Sequence, residues 1–334
     1  MSDILLKIRN LRVSVNMGKK EIPIVKGVDI DIPKGHIVGL VGESGSGKSM
    51  TAKSIMGILP RNIHADGSIL WNDPQGMQTE LTGLDEKQLR RMCGTKIGMI
   101  FQEPMTSLNP MMRIGDQVAE VLLIHKLVKD RGEAEKKVIR LLEEVGIPDP
   151  GQRYRSYPHE LSGGMRQRVM IAMAVISDPD LLIADEPTTA LDATTQAQIL
   201  KLIRQMCETH DMSALVITHN MGVVSSLCDN VYVMYMGRIM ERAKVAQLFK
   251  APLHPYTRGL LSSIPRIGSN PEYLTTIPGN IPEFGNESVG CEFCLRCSDD
   301  ERRCFFERPT ETEVEEGHYV SCFSAVKQEQ MSNE

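Results

Sequence analysis

The chain has 334 residues, 41% of them hydrophobic and 24% charged, with a net charge of −5. That is enough for one large globular domain plus an appendage, and the balance argues against a disordered or fibrous protein. No apolar run approaches the ~20 residues of a membrane span, no basic stripe suggests nucleic acid, and the N-terminus lacks the pattern of a signal peptide, so any membrane association is expected through a partner.

In chain order, Ile4, Leu6, Ile8, Leu11, Val13 and Val15 alternate weakly, and Ile22, Ile24, Val28, Ile30 and Ile32 follow after a turn at Met17-Gly18-Lys19-Lys20. This predicts strands of an antiparallel layer, which Ser68–Trp71 extends. The short β-branched run Ile37–Val41 predicts a buried strand, and Met50–Leu59 predicts a helix that stops before Pro60. Between them stands Gly42-Glu43-Ser44-Gly45-Ser46-Gly47-Lys48-Ser49, of the form G-x-x-x-x-G-K-S. Strand, glycine loop and helix form a phosphate cradle. Glycines let several N–H groups point at one phosphate chain, and the helix N-terminus adds partial positive charge. Gly42, Ser44, Gly45, Ser46, Gly47, Lys48, Ser49 and Met50 are therefore the candidate nucleotide-binding residues. Lys48 supplies a point charge and the Ser49 hydroxyl can ligate Mg²⁺.

Ile97–Phe101 predicts a buried strand ending at Gln102. From about Pro104 to Gly164 the period becomes helical (Ile114, Val118, Val121, Leu122, then Val138, Leu141, Leu142, Val145), with Gly146 as a stop and Pro148 beyond. Ser162 can cap the next helix, which would bury Met165, Val169, Ala172, Met173 and Ile176 on one face. Leu181–Asp185 reads as a strand buried on both faces, followed by Glu186. A helix over about Ala193–His210 leads to a strand at Ala214–Thr218 ending at His219, and Val231–Met236 with Arg238–Met240 reads as a final hairpin. Strands alternating with helices imply an α/β fold with a largely parallel sheet.

After about Lys250, prolines at 252, 255, 265, 271, 278 and 282 predict an irregular arm, and the last dozen residues read as disordered. Residues 299–334 hold ten Asp and Glu against four Lys and Arg, which leaves the rest of the chain near neutral. Five of the eight cysteines, at 291, 294, 297, 304 and 322, fall in a 32-residue window. Without a secretory signal this favours metal over disulfides. Four thiolates on a loop-rich segment can hold Zn²⁺ or an iron–sulfur cluster, or remain reduced thiols. Cys93, Cys207 and Cys228 read as core, and His254, Tyr256 and His318 as packing between arm and core.

Each strand end also carries a group with chemistry. Asp185 can hold Mg²⁺ directly or through water. Glu186 can orient and polarise a water, or simply cap a helix. Ser162-Gly163-Gly164 is a second anion site, a serine cap with two glycines at a helix N-terminus.

Taken in order, the phosphate loop, Gln102, Leu161-Ser162-Gly163-Gly164-Met165, Leu181–Glu186 and His219 resemble the nucleotide-binding domain of ATP-binding-cassette (ABC) transporters over residues 1 to about 250. The resemblance implies a mixed-sheet α/β core with an antiparallel β layer, a helical subdomain at about 104–164, and a Cys-rich C-terminal extension at 251–334. It implies Glu186 as the catalytic carboxylate, His219 as the γ-phosphate switch, and Gln102 as a Mg²⁺ or water contact that links nucleotide state to a membrane partner. It also implies that Ser162, Gly163 and Gly164 complete the ATP site of a second protomer, with Asp192 in the loop crossing that dimer. One departure stands out: Val15, with Met17 nearby, occupies the place where the family stacks an aromatic on adenine. Met165 replaces a commoner Gln.

Tyr157–Arg168 and Pro252-Leu253-His254-Pro255-Tyr256-Thr257-Arg258 resemble the ATPase subunits of oligopeptide and dipeptide permeases, as do Ile277-Pro278-Gly279 and the cysteines at 291, 297, 304 and 322. The likeness implies a [4Fe–4S] cluster on those four, with Zn²⁺ as the alternative; Cys294 stands outside the family's pattern and could compete with a neighbour as ligand. It implies ATP hydrolysis on the cytoplasmic face of a membrane, two transmembrane permease subunits, a second and related ATPase subunit as heterodimer partner, and an extracellular or periplasmic solute-binding protein. A nickel or other small-solute importer, or a soluble ABC ATPase, is the alternative.

Overall fold

A computed structural model describes residues 4–18, 20–73, 76–102, 107–189, 191–264, 277–282 and 289–332, with backbone alone for 328–332. Strand β1 (Ile4–Met17) is followed by β2 (Lys20–Pro33) and then by β3 (Ile37–Val41), buried at every position. Helix α1 (Lys48–Met56) ends as Gly57 turns left-handed and its N–H reaches Lys53 and Ser54 carbonyls, so a glycine stops the helix ahead of Pro60. Strands β4 (Ile63–Asn72) and β5 (Gln78–Glu80) follow, then α2 (Glu86–Met92), closed at its start by an Asp85–Gln88 capping box. Strand β6 (Ile97–Ile100) ends one residue before the expected Phe101, which is 42% exposed.

Helices α3 (Ile114–Ile124) and α4 (Arg131–Glu144) fill the helical stretch, with Gly146 left-handed after α4; Pro104, where that stretch was expected to start, lies outside the described residues. Helix α5 (Gly163–Val175) leads to β7 (Leu181–Asp185), and α6 (Ala193–Thr209) to β8 (Ser213–Thr218). The one-face expectation for α5 is corrected, because Gln167, Val169, Met170, Ile171, Ala172, Ala174 and Val175 are all buried. Such a helix is enclosed rather than amphipathic. Helix α7 (Met221–Leu227) precedes β9 (Asn230–Tyr235) and β10 (Arg238–Lys244).

Among the described residues, the segment beyond Lys250 is more regular than its composition suggests; Pro265 and Pro271 lie outside them. After α8 (Val245–Lys250), Pro255 opens α9 (Pro255–Ser262), where its missing N–H costs nothing. The hairpin of β9 and β10 is not the last one, since β11 (Thr312–Glu315) and β12 (His318–Val320) form another. The expected disorder over the last dozen residues is corrected too: α10 spans Phe323–Ser332, seated by buried Ala325 and by the Ser324 hydroxyl donating to the Asp299 carbonyl.

By internal contacts the chain falls into two compact units. One contains Ile32–Ile37 and Gly83–Ile217; the other contains Ile4–Asp31, Val38–Thr82 and Thr218–Glu334. In the first, β6, β7 and β8 run parallel in the order β8-β7-β6, with Ile100 opposite Ala184 and Asp185 opposite Ile217. A Cβ on Gly98 would come within 2.1 Å of the Ala174 carbonyl, so only glycine lets α5 approach β6 this closely. In the second, β2-β1-β4-β5 form an antiparallel layer, and a mixed sheet runs β11-β12-β10-β9-β3, with β3 parallel to β9 and the rest antiparallel.

Candidate functional site

In the second unit, the loop after β3 wraps tightly on itself. Gly45 and Gly47 take φ of 79° and 107°, and Gly47 caps α1. A Cβ on Gly42 would sit 2.0 Å from the Met234 carbonyl, so the loop leaves β3 pressed against β9. The N–H of Gly237 donates to the Ser46 carbonyl at 2.9 Å, fixing the middle of the loop to the β9–β10 turn. Lys48 is buried, and its ammonium donates to the Gly42 and Glu43 carbonyls, each at 2.8 Å, and to the Ser46 hydroxyl at 3.2 Å. The charge thus lies inside the ring of backbone groups that a phosphate chain would enter. Ser44 and Gly45 are exposed at its mouth, and Ser49 and Met50 are half-buried on the first turn of α1. His219 is exposed just after β8, before Asn220 caps α7 through the Gly222 N–H. Val15 is half-buried in β1 opposite Ile63, and Met17 is 63% exposed.

In the first unit, β7 delivers two carboxylates with different surroundings. Asp185, the last strand residue, is 4% exposed. Glu186 adopts φ of 48°, a left-handed conformation rare outside glycine. The N–H of Glu186 donates to the Ile217 carbonyl at 2.9 Å, which keeps the turn seated on β8. Its carboxylate accepts from the Thr189 hydroxyl at 2.8 Å and from the Gln102 amide at 3.2 Å. Backbone strain at a carboxylate that closes a strand is the kind of conformation functional sites retain. The structure therefore brings together Glu186, expected to polarise a water, and Gln102, expected to contact Mg²⁺ or that water.

The same unit sets two helix N-termini side by side. Ser162 caps α5 by accepting from the Met165 N–H at 3.3 Å. Asp192 caps α6, accepting from the Thr195 N–H at 2.9 Å and hydroxyl at 2.7 Å, and those bonds hold its carboxyl below the usual range. A Cβ on Gly164 would lie 2.9 Å from the Thr195 side chain, so Gly164 admits the α6 cap. Ser162 and Gly163 remain exposed.

The cysteine cluster lies on short turns of the second unit. The Cys291 N–H donates to the Cys304 carbonyl at 2.8 Å, and the Glu301 N–H reaches the Cys304 sulfur at 3.4 Å. Burial pushes the Cys291 thiol up to about 12, with Cys304 and Cys294 among the neighbours that add to it. Burial pushes Cys297 up to about 11, with Cys322 and Cys304 adding. Cys322 is raised by burial and by Cys304. Cys304 thus lies within electrostatic reach of Cys291, Cys297 and Cys322, although among the described residues no group of three or more side chains is set in ligand geometry.

Three residues outside the expected site hold these parts in place. Buried Gln167 donates to the Pro187 carbonyl at 2.7 Å, tying α5 to the turn that carries Glu186. Tyr256 and Arg296 both reach Glu43 of the phosphate loop. Tyr256 is expected from sequence to pack between arm and core, whereas Gln167 and Arg296 carry no signal that points to these partners.

Residues 25–189 match the ABC transporter family, and residues 240–304 match the C-terminal region of oligopeptide/dipeptide transporters. The chain is 47% identical over 321 residues to the oligopeptide transport ATP-binding protein AppD of Bacillus subtilis strain 168, covering 96% of each chain. It is 45% identical over 320 residues to the dipeptide transport ATP-binding protein DppD of the same organism, covering 95% of this chain and 94% of that one. Among solved structures it is similar to an ATP-binding cassette captured as a dimer after hydrolysis with ADP and Pi. There the TM-score is 0.63 at 26% identity, covering 72% of this chain and 99% of that one.

Proposed function

The chain belongs to the ABC transporter ATP-binding proteins of the oligopeptide/dipeptide family, and we infer that it is the ATPase subunit powering import of such peptides through a membrane permease complex. The observation that carries the chemistry is Glu186, held at a left-handed turn with the Gln102 amide on its carboxylate. In this reading Gly42 and Ser44–Met50 bind the phosphates, Glu186 polarises the attacking water, and His219 contacts the γ-phosphate. Ser49, Gln102 and Asp185 would hold Mg²⁺, whose charge offsets that of the phosphates; a buried carboxylate with a hydroxyl and an amide oxygen is the oxygen-donor set it prefers.

Ser162, Gly163, Gly164 and Asp192 face a second, related ATPase subunit, so each ATP is shared by two chains. Two permease subunits and a solute-binding protein complete the importer, with this chain on the cytoplasmic face. No helix among the described residues is long and apolar enough to cross a membrane; in this reading the chain docks on the permeases. The working division is a nucleotide-binding domain at 1–250, with its helical subdomain at about 104–164, and a C-terminal region at 251–334. In that region Cys291, Cys297, Cys304 and Cys322, with Cys294 as an alternative ligand, hold a [4Fe–4S] cluster. The support is that Cys304 lies within electrostatic reach of Cys291, Cys297 and Cys322, although the described side chains are not set in ligand geometry.

In the assembled transporter, Glu186→Gln should cut ATP turnover by roughly a hundredfold or more and abolish peptide uptake while leaving ATP binding intact. Wild-type turnover in that variant would remove Glu186 from the chemistry. Iron and acid-labile sulfide assayed on anaerobically purified chain decide the cluster; zinc in their place selects the alternative metal.

A further inference from the structure

The phosphate loop contains an acid, and an acid is misplaced in an anion site. Glu43 follows Gly42 directly, and its carboxylate repels incoming phosphates unless its charge is offset. The offset comes from the C-terminal region, more than two hundred residues later. Arg296 Nη1 donates to Glu43 Oε2 at 2.7 Å and Nη2 to Oε1 at 3.1 Å, a bidentate fork of the strong, directional kind. The Arg296 side chain is 4% exposed against 26% for Glu43. Its other donors are used as well: Nε reaches the Pro278 carbonyl at 2.9 Å and Nη1 the Tyr235 hydroxyl at 3.3 Å. The guanidinium is therefore fixed before any nucleotide arrives.

A second contact fixes the backbone of the same residue. Tyr256, fully buried on α9, accepts the Glu43 N–H on its hydroxyl at 2.8 Å, and burial holds its phenol well above the usual range. Tyr256, Tyr235 and Phe293 pack ring against ring, with centroids 4.7 to 5.3 Å apart, so the hydroxyl has little freedom to swing away.

We propose that Arg296 and Tyr256 are positioning residues for ATP binding, clamping Glu43 so that the phosphate loop presents a neutralised, preformed mouth. Arg296 cancels the carboxylate's charge and holds it toward the C-terminal region; Tyr256 sets the direction of the first peptide group of the loop. Arg296 also lies between Cys294 and Cys297 on one short helical turn, so the segment that carries the thiols also carries the clamp.

The inference rests on the loop being the phosphate site, and one experiment separates the two. Equilibrium binding of ATP with Mg²⁺ is measured on the full chain and on Lys48→Ala, Arg296→Met, the double variant Glu43→Gln/Arg296→Met, Arg296→Lys and Tyr256→Phe. Arg296→Met should raise the Kd about tenfold, as loss of a charge-assisted pair beside an anion site would. Adding Glu43→Gln to it should recover most of that loss, because the repelling charge is gone. The deficit of the single variant should also shrink in high salt. Arg296→Lys and Tyr256→Phe, which disturb the fold less, should each raise the Kd by about threefold. Wild-type affinity in Arg296→Met, or in both milder variants if Arg296→Met fails to fold, overturns the clamp. A double variant no better than the single one also overturns it, since simple damage to the fold would not be repaired by a second substitution. Undiminished affinity in Lys48→Ala would instead overturn the phosphate-loop reading itself.

Discussion

Glu186 and Lys48 follow two buried strands, one in each compact unit, and their supports come from different distances along the chain. The Glu186 turn is secured by Thr189 three residues on, by the N–H bond to Ile217 of the adjoining strand, and by Gln167 and Gln102 at sequence separations of 20 and 84 residues. The Lys48 loop is secured from far along the chain. Met234 and Gly237 press on it from β9 and its turn, and Tyr256 and Arg296 bind Glu43 across sequence separations of 213 and 253 residues. A turn that carries a reacting carboxylate can be built from a few bonds and a strained backbone. A loop that must cradle a flexible polyphosphate contains too few side chains to fix itself, so the surrounding fold supplies the rigidity.

The comparison breaks most sharply at two glycines. Gly42→Ala drives a methyl group into the Met234 carbonyl and Gly98→Ala into that of Ala174, so each should lower stability by about 3 kcal/mol. Chemical denaturation measures this, and only Gly42→Ala should also abolish ATP binding in whatever chain remains folded. Equal loss of binding from both would mean that the two units fail together rather than each by its own means.

A graded effect is expected from pH. Burial pushes His254 down to about 4, against the opposing pull of Glu241 and with Arg258 adding to the shift. The unfolded chain takes up this proton below about pH 6.5, whereas the folded chain does not until about pH 4. Stability from His254 is therefore complete above that window and is lost as pH falls through it. Glu241, held below the usual carboxylate range despite its burial by bonds from His318, Leu253, Thr257 and His254, loses its contribution in the same direction. Urea melts at about pH 7 and about pH 5 should show the decline, and His254→Asn should flatten it. A wild-type chain equally stable at both would contradict the buried neutral imidazole.

The smallest effect is at the α5 cap. Ser162→Ala removes the acceptor for the Met165 N–H and should cost about 1 kcal/mol. The same variant should leave ATP binding to an isolated chain unchanged while slowing turnover of the assembled dimer. A matching loss in the isolated chain would argue against Ser162 acting on a partner's nucleotide.

Much of this was legible in the residues because it is local. The cap at Ser162 spans three positions, the α6 boundary lies within one residue of its expected end, and the phosphate loop carries its own glycines. What escaped was decided by remote packing. The all-round burial of α5 depends on neighbours that a one-face period does not count. The prolines after Lys250 suggested irregular chain, but Pro255 opens a helix, and the terminal α10 is seated by the Ser324 hydroxyl on Asp299 and Glu301 and by the buried Ala325. Glu43, a variable position of the motif, drew no expectation from sequence, and its partner Arg296 lies 253 residues away.

The hairpin of β11 and β12 has a practical consequence for anyone shortening the chain. Through Val320 and Tyr319, β12 pairs with Glu241 and Arg242 of β10, and so occupies hydrogen-bonding groups that would otherwise lie bare along a sheet edge. The outermost strand, β11, is only four residues long and turns Glu313 and Glu315 to solvent, a short and charged margin that discourages edge-to-edge pairing. A cassette cut after Lys250 loses this guard and presents β10 as a template for another chain. Such a fragment should aggregate through its sheet, and the inviting boundary at the end of α8 is a poor place to trim the protein.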